Sequence, residues 1–261
     1  MILRTRCHLQ FQLKGPTPFV FMLRPQSGAL QWIMRDQFDL RPNVGAYEFS
    51  DGYGNLCQRV MAPAGAFSIT TSADVMTSDE SDRGYGEPFI EIQNLPDSVM
   101  SFILPSRFCE SDRFFDMAMS IAGTARPGYD QVAAIEAWLR DTIRYMPGTS
   151  AIPSSAIEIN QAGSGVCRDL SHLGIALCRS ISIPARLVVG YLHELEPMDM
   201  HAWFEAFVGG RWYTFDAVQT ELSGGYVPLG YGRDAADVAL YTQFGPLVQS
   251  AQQEVTVERL S

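Results

Sequence analysis

Residues 201–218 read HAWFEAFVGGRWYTFDAV, and this stretch predicts a β-hairpin. Two runs rich in aromatic residues flank Gly209-Gly210, a dipeptide that is typical of two-residue hairpin turns. Counting back from that turn places His201 and Asp216 as diagonal neighbours on one face of the hairpin. A loop longer or shorter by a single residue would break this register. The sequence therefore predicts an imidazole and a carboxylate within reach of each other.

A helix that begins at a cysteine is predicted upstream of the hairpin. Residues Cys167–Ser180 carry apolar side chains at helical spacing, and the glycine-rich run Gly163–Gly165 precedes them. The N-terminus of a helix offers unpaired backbone N–H groups and a partial positive charge, and both stabilise a thiolate. Cys167 is therefore the predicted nucleophile, with a buried structural cysteine as the alternative. We expect Cys178 and His172, further along the helix, to serve packing.

These predictions combine into one mechanism. A thiolate nucleophile needs a group that transfers protons, and that group needs an orienting partner. His201 can transfer the proton, and Asp216 can fix its tautomer and stabilise its charged form. An ordinary surface His and Asp are the alternative for the hairpin alone. Together with a cysteine that begins a helix, the pattern indicates a Cys167–His201–Asp216 catalytic triad.

The rest of the chain predicts an α+β protein with two domains. Residues 1–95 contain short alternating runs separated by turn sequences, which is typical of a β-sandwich. Residues 96–261 begin with helical patterns and continue with β runs. The predicted helices before Cys167 are Phe108–Ile121, Tyr129–Ile143 with Asp130 as its N-cap, and Ser154–Asn160. The predicted strands after it are Ala185–Leu192, Ala202–Val208, Arg211–Val218 and Gln253–Leu260.

Composition narrows the class of partner. The 261 residues carry a net charge of −10 and form no basic stripe, which argues against nucleic acid and against an anionic membrane surface. We see no apolar run long enough to span a membrane and no signal-peptide pattern at the N-terminus, so we expect a cytoplasmic protein. The five cysteines form no CxxC pair. We predict no metal and no cofactor.

Two longer runs resemble the core of bacterial transglutaminase-like cysteine proteases. They are GVCRDLSHLGIALCRSISIPARLVVGYL, residues 165–192, and MHAWFEAFVGGRWYTFDA, residues 200–217. In that family a GVC(Q/R)DF(A/S)HL helix carries the nucleophile, HAWFE the histidine and WY.FD the aspartate. The LPSR element at 104–107 and the GRDAADV run at 232–238 extend the resemblance over nearly the whole chain. Leu170 replaces a common phenylalanine, and Ala217 a common proline.

The resemblance implies a papain-like core and acyl transfer through a thioester on Cys167. It also implies an oxyanion hole, for which the Cys167 N–H is one donor and Tyr145 a candidate for the second. Trp203 is a candidate for shielding the His–Asp pair or contacting substrate, with core packing as the alternative. Asp169 is a candidate for orienting substrate, with a structural role as the alternative. Arg233 and Asp234, in the GRDAADV run, either border the cleft or pair with each other.

Three functions remain open from the sequence. The first is hydrolysis of a peptide or protein amide. The second is amide formation or protein cross-linking by the same triad. The third is a non-enzymatic peptide-binding module on the same fold. The sequence does not determine the oligomeric state.

Overall fold

A computed structural model describes residues 1–148, 152–245 and 250–261. The strands are β1 (Ile2–Leu13), β2 (Thr17–Phe21), β3 (Gln31–Arg41), β4 (Ala46–Ser50), β5 (Leu56–Ala62), β6 (Gly65–Thr77), β7 (Arg144–Tyr145), β8 (Ser164–Gly165), β9 (Ala185–Leu192), β10 (His201–Val208), β11 (Arg211–Phe215), β12 (Tyr226–Gly232), β13 (Tyr241–Gln243) and β14 (Ser250–Arg259). The α-helices are α1 (Phe115–Ala122), α2 (Tyr129–Thr142), α3 (Ala156–Ala162) and α4 (Cys167–Ser180). Short 3-10 helices lie at Ile92–Asn94, Asp97–Phe102 and Ser111–Arg113.

The N-terminal strands build two antiparallel sheets that share an aromatic core. Their strand orders are β14-β1-β6-β3 and β13-β2-β5-β4. In β1 every second residue from Leu3 to Leu13 is buried, as expected for a strand with one face on a core. The rings of Phe11 and Phe19 lie 5.0 Å apart between centroids in that core. The predicted β-sandwich is confirmed.

Two strands from the end of the described chain complete these sheets. β14 pairs with β1 from Leu3↔Arg259 to Gln12↔Ser250, and β13 pairs with β2. Strand Gln253–Leu260 was expected from the sequence, but its partner was not. The division into domains 1–95 and 96–261 stays a prediction. Strands β13 and β14 belong to the second of these ranges but pair with strands of the first.

A third antiparallel sheet carries α4 on one face. Its strand order is β11-β10-β9-β12. The side chains that face the helix are apolar, and full burial of a large one such as Leu187 or Phe204 stabilises the fold by about 1.5–3 kcal/mol. Gly174 lets α4 approach closely, because a Cβ at this position would lie 2.8 Å from the Phe204 ring. The predicted Cys-bearing helix on an antiparallel sheet is confirmed, and the fold class is α+β.

Buried polar contacts join the sandwich to this third sheet. The Asn55 side chain accepts from the backbone N–H of Tyr231 at 2.8 Å and donates to its carbonyl at 2.7 Å. The Gln31 side chain donates to the Pro228 carbonyl at 2.9 Å. Because β12 is an edge strand of the third sheet, these side chains bind backbone groups that a further strand would otherwise pair.

The predicted helix Phe108–Ile121 is wrong in its first half. A 3-10 turn covers Ser111–Arg113, and α1 begins at Phe115. Tertiary contacts explain the difference, because the Phe108 N–H donates to Asp234 at 2.7 Å and its carbonyl accepts from Ala156 at 2.8 Å. A helix beginning at Phe108 would need this carbonyl for its own first hydrogen bond, and Ala156 binds it instead.

The predicted N-cap Asp130 is also wrong. Gly128 is the N-cap of α2 with φ 110°, and a Cβ there would lie 2.3 Å from the Glu87 carbonyl oxygen. The Asp130 carboxylate instead accepts from the Gly86 N–H at 2.9 Å. It therefore ties α2 to the segment that links the sandwich to the third sheet.

No helix in the described ranges is both long and apolar enough to cross a lipid bilayer.

Candidate active site

Cys167 opens helix α4 beside a short parallel strand pair. The Arg144 N–H donates to the Gly163 carbonyl at 2.9 Å, and the Met146 N–H donates to the Gly165 carbonyl at 2.8 Å. This pairing places Tyr145 next to Cys167, and the two side chains interact electrostatically. Cys167 is half-buried, whereas the other four cysteines are buried. Among the cysteines, its thiol is thus the one open to a reactant.

The hairpin register predicted from the sequence is confirmed. Val208 pairs with Arg211, and the pairing continues to Phe204↔Phe215. His201 Nε2 donates to Asp216 Oδ2 at 2.6 Å, and both residues are 1% exposed. Because an ionised carboxylate only accepts, the proton of this bond is on Nε2. The second ring nitrogen of His201 is then left for proton transfer.

That second nitrogen, Nδ1, is buried and makes no hydrogen bond to another described residue. The Cys167 thiol lies close enough to the ring to affect its ionisation. Burial disfavours the imidazolium, but Asp216 first and Cys167 second outweigh burial and raise the pKa of His201 to about 10. His201 therefore carries a proton at neutral pH, next to the thiol.

His201→Gln should change how stability depends on pH. The pKa of His201 rises from 6.5 to about 10 on folding. Its contribution to the free energy of unfolding is therefore complete below pH 6.5 and is lost as the pH rises to about 10. Gln can still donate to Asp216 but does not titrate. Over that window, urea denaturation should show wild type losing about 2 kcal/mol or more relative to the variant. A constant difference would contradict a protonated His201.

Three residues that sequence analysis did not select hold Asp216. The Tyr226 hydroxyl donates to Asp216 Oδ2 at 2.9 Å. The backbone N–H of Asp216 donates to Glu136 Oε1 at 2.7 Å, and Arg140 donates to its carbonyl at 3.3 Å. The sequence could have indicated Glu136, because it is a charged residue on the apolar stripe of α2 beside Ile135. It could not have indicated Tyr226, because the Pro and Gly residues of that strand hide the strand pattern.

Trp203 lies behind His201. The two rings stack at 28° with centroids 6.0 Å apart, and Trp203 meets the Tyr226 ring edge-on at 4.9 Å. Trp203 is 1% exposed. This placement favours shielding of the His–Asp pair over contact with substrate.

Asp169 is buried and fastens the turn that precedes α4. Its carboxylate accepts from the Val166 N–H at 3.3 Å, the Ser154 N–H at 3.4 Å and Arg168 Nε at 3.2 Å. A Cβ at Gly165 would lie 2.9 Å from the Asp169 Cβ, so only glycine fits there without a shift. Asp169 therefore sets the backbone from which Cys167 projects.

His172 packs in the core. Its Nδ1 donates to the Ser154 carbonyl at 2.9 Å, and Nε2 accepts from the Ala235 N–H at 3.2 Å. The ring stacks on Phe108 at 5.3 Å, and burial lowers the pKa of His172. With both nitrogens engaged and the ring neutral, His172 is not available to Cys167.

The GRDAADV run forms a turn that its own side chains hold together. The sequence offered a pairing of Arg233 with Asp234 as one possibility, and this is wrong. Arg233 Nε donates to Asp237 Oδ2 at 2.8 Å instead. Asp234 is buried and accepts from the Phe108 N–H at 2.7 Å and the Ala236 N–H at 2.8 Å. These residues stabilise the loop that covers His172.

A cavity of about 270 Å³ lies away from Cys167. It lies between the third sheet and the segment around Thr77–Asp82. Its lining includes Trp203, Trp212 and Tyr226. Neither Cys167 nor His201 lines it. The reactive side chains, and not the volume of this cavity, define the candidate site.

Over the described parts of the chain, no group of three or more His, Cys, Asp or Glu side chains is arranged to hold a metal ion.

Comparisons with known proteins place the chain beside one sequence family, two uncharacterised proteins and one solved structure. The sequence profile described as the transglutaminase-like superfamily matches residues 116–217. An uncharacterised protein of Mycobacterium leprae is 29% identical over 230 residues, which are 83% of this chain and 82% of that protein. An uncharacterised protein of Mycobacterium tuberculosis is 32% identical over 109 residues, 36% of this chain and 35% of its own. A solved structure described as a candidate cysteine protease from Cytophaga hutchinsonii matches with a TM-score of 0.91 and 33% identity, over 100% of this chain and 91% of that one.

Proposed function

This chain belongs to the transglutaminase-like superfamily, and from that membership we propose that it is a cysteine-dependent acyl-transfer enzyme with the catalytic triad Cys167, His201 and Asp216. One observation carries the proposal. The buried His201–Asp216 hydrogen bond of 2.6 Å lies beside a thiol at the start of a helix. A charged imidazole next to a half-buried thiol is the arrangement that activates a cysteine nucleophile.

The proposed reaction has two steps. The Cys167 thiolate attacks the carbonyl carbon of an amide and forms a C–S bond. The C–N bond then breaks as His201 Nδ1 gives its proton to the leaving amine, which leaves a thioester. A water molecule next gives a proton to Nδ1 while its oxygen forms a C–O bond with the carbonyl carbon of the thioester. The C–S bond then breaks, which releases the acid and restores the Cys167 thiolate beside a protonated His201. Asp216 accepts the hydrogen bond from Nε2 throughout.

The negative charge that develops on the carbonyl oxygen needs hydrogen-bond donors. The Cys167 N–H is in the first turn of α4, where backbone N–H groups have no acceptor within the helix. Tyr145 is the second donor that we propose. Burial is the main reason that the pKa of Tyr145 rises to about 12, with Cys167 and Asp216 adding to it. The hydroxyl therefore keeps its proton at neutral pH and can donate.

Tyr145→Phe should slow acyl transfer but not alkylation. With p-nitrophenyl acetate as acyl donor, we expect loss of the phenol to lower kcat by about two orders of magnitude, as removal of an oxyanion-hole donor does. Alkylation of Cys167 by iodoacetamide forms no oxyanion, so its rate should stay the same. Equal losses in both reactions would mean that Tyr145 acts on the thiol itself and not on the oxyanion.

Hydrolysis of a peptide or protein amide is the outcome that we propose for the second step. The likeness to the candidate cysteine protease, at 33% identity over the full chain, supports it. Amide formation or cross-linking would use the same residues, with an amine in place of water. Once a substrate is found, an added primary amine distinguishes the two, because an acyltransferase will form amide instead of acid.

The first test measures alkylation at each cysteine by mass spectrometry of the native protein, as a function of pH. We expect Cys167 alone to react rapidly at neutral pH, and His201→Ala to remove that reactivity. Cys178 is the internal control, because it is buried in the same helix. If Cys167 reacts no faster than Cys178, the enzyme proposal fails and a peptide-binding module becomes the better explanation.

A further inference from the structure

Asp216 lies just beyond the end of the hairpin ladder. The pairing of β10 with β11 ends at Phe204↔Phe215, so no strand partner holds the backbone of the next residue. Without such a partner, rotation about the backbone would move the carboxylate relative to His201. Some other element must therefore hold Asp216 in place.

Helix α2 supplies that hold with two side chains one turn apart. Glu136 Oε1 accepts the Asp216 N–H at 2.7 Å. Arg140 donates to the Asp216 carbonyl at 3.3 Å and to the Gln219 carbonyl at 2.9 Å. The Asp216 carbonyl also accepts from the Gln219 N–H at 3.3 Å, which closes the turn after the strand. Both backbone polar groups of Asp216 are thus bound to α2.

Glu136 is an unusual residue for its place in the core. It is 5% exposed and lies on the stripe of α2 that carries Val132, Ile135 and Leu139. An apolar side chain would pack there without the desolvation that a buried carboxylate requires. Arg140 at 3.6 Å and Arg83 at 3.8 Å balance its charge. The core therefore holds an acidic group whose shortest hydrogen bond is to the backbone of Asp216.

We propose that Glu136, supported by Arg140, is the positioning residue of the triad, because it fixes the backbone of Asp216 so that the carboxylate meets His201 Nε2. The inference rests on the proposed function. Among the described residues, Glu136 makes its hydrogen bond to Asp216 and none to His201 or Cys167, so it acts through Asp216. Reactive groups must hold their geometry to within about 0.5 Å to work well. A buried acceptor on a rigid helix provides that precision.

The test compares two variants of similar size. Glu136→Met removes the acceptor of the Asp216 N–H. It should lower the rate of Cys167 alkylation at pH 7 by about tenfold or more, because loss of one hydrogen bond changes a rate by about that factor. Glu136→Gln keeps an acceptor oxygen and should restore the rate to within about threefold of wild type. The His201 Nε2 proton gives an independent NMR readout. Its strongly downfield signal should persist in Glu136→Gln and move upfield in Glu136→Met.

A double-mutant cycle separates positioning from general damage. In the Asp216→Asn background, Glu136→Met should cause no further loss of alkylation rate, because the carboxylate that it positions is absent. Full multiplication of the two losses would overturn the inference, as would normal reactivity and an unmoved NMR signal in Glu136→Met. If Glu136→Met does not fold, Arg140→Met replaces it, and wild-type behaviour of that variant overturns the inference equally.

The same data keep this inference apart from the triad. If Asp216→Asn reacts like wild type, the proposed triad fails and the role of Glu136 fails with it. If Asp216→Asn is slow but Glu136→Met is normal, the triad stands and only the positioning role is overturned.

Discussion

Cys167→Ala should abolish turnover and leave the fold nearly unchanged. The thiol supplies the only bond to the acyl group in the proposed reaction, so no residual route passes through the site. The side chain is half-buried and loses one sulfur atom, so we expect the melting temperature to stay within about 3 °C of wild type. Hydrolysis of p-nitrophenyl acetate and thermal unfolding together check the prediction.

Cys178→Ala is the matched control for that experiment. Cys178 is fully buried in the same helix, where burial raises the pKa of its thiol beyond the reactive range. We expect full turnover and a loss of about 1–2 kcal/mol in the free energy of unfolding, since the change leaves a small cavity. If Cys167→Ala keeps its turnover, or if Cys178→Ala loses turnover with its fold intact, Cys167 is not the nucleophile.

Asp216→Asn should slow the reaction by about two to four orders of magnitude without unfolding the protein. The carboxylate is the main group that keeps the pKa of His201 near 10 against the effect of burial. Without its charge, burial dominates and His201 becomes neutral at pH 7. The thiolate then loses its partner, so rapid alkylation of Cys167 should begin only at higher pH. Rates of alkylation and of ester hydrolysis from pH 5 to 10 measure the change.

Asp169→Asn is the control for this variant. Asp169 is as buried as Asp216, but its bonds go to Val166, Ser154 and Arg168 rather than to His201. We expect it to lower stability while leaving the shape of the pH profile unchanged. Identical pH profiles for wild type and Asp216→Asn would remove Asp216 from the mechanism.

The sequence predicted the parts of the site that depend on local spacing. The Gly209-Gly210 turn determines the register, and the register brings His201 to Asp216. The helix that begins at Cys167 follows from its apolar periodicity and was predicted with the observed ends.

What the sequence did not predict depends on contacts between distant segments. The backbone of Phe108 bonds to Asp234 and Ala156, and it does not form the helix that its sequence pattern predicts. Glu136 binds Asp216 although the two residues are 80 positions apart in the sequence. Tyr226 also binds Asp216, from strand β12, whose Pro228 and Gly230 are not typical of a strand. Sequence spacing does not predict these contacts, because the tertiary fold determines which distant residues meet.

The pairing of β1 with β14 has a consequence for biosynthesis. Nearly the whole chain must leave the ribosome before the partner of β1 exists. At about 5–20 residues per second, the edge of β1 that β14 covers stays open for roughly ten to fifty seconds. An open strand edge is a template for pairing with other chains. Nascent molecules therefore pass through a stage in which this edge of β1 is open to pairing with other chains, and the stage ends only after β14 has been translated.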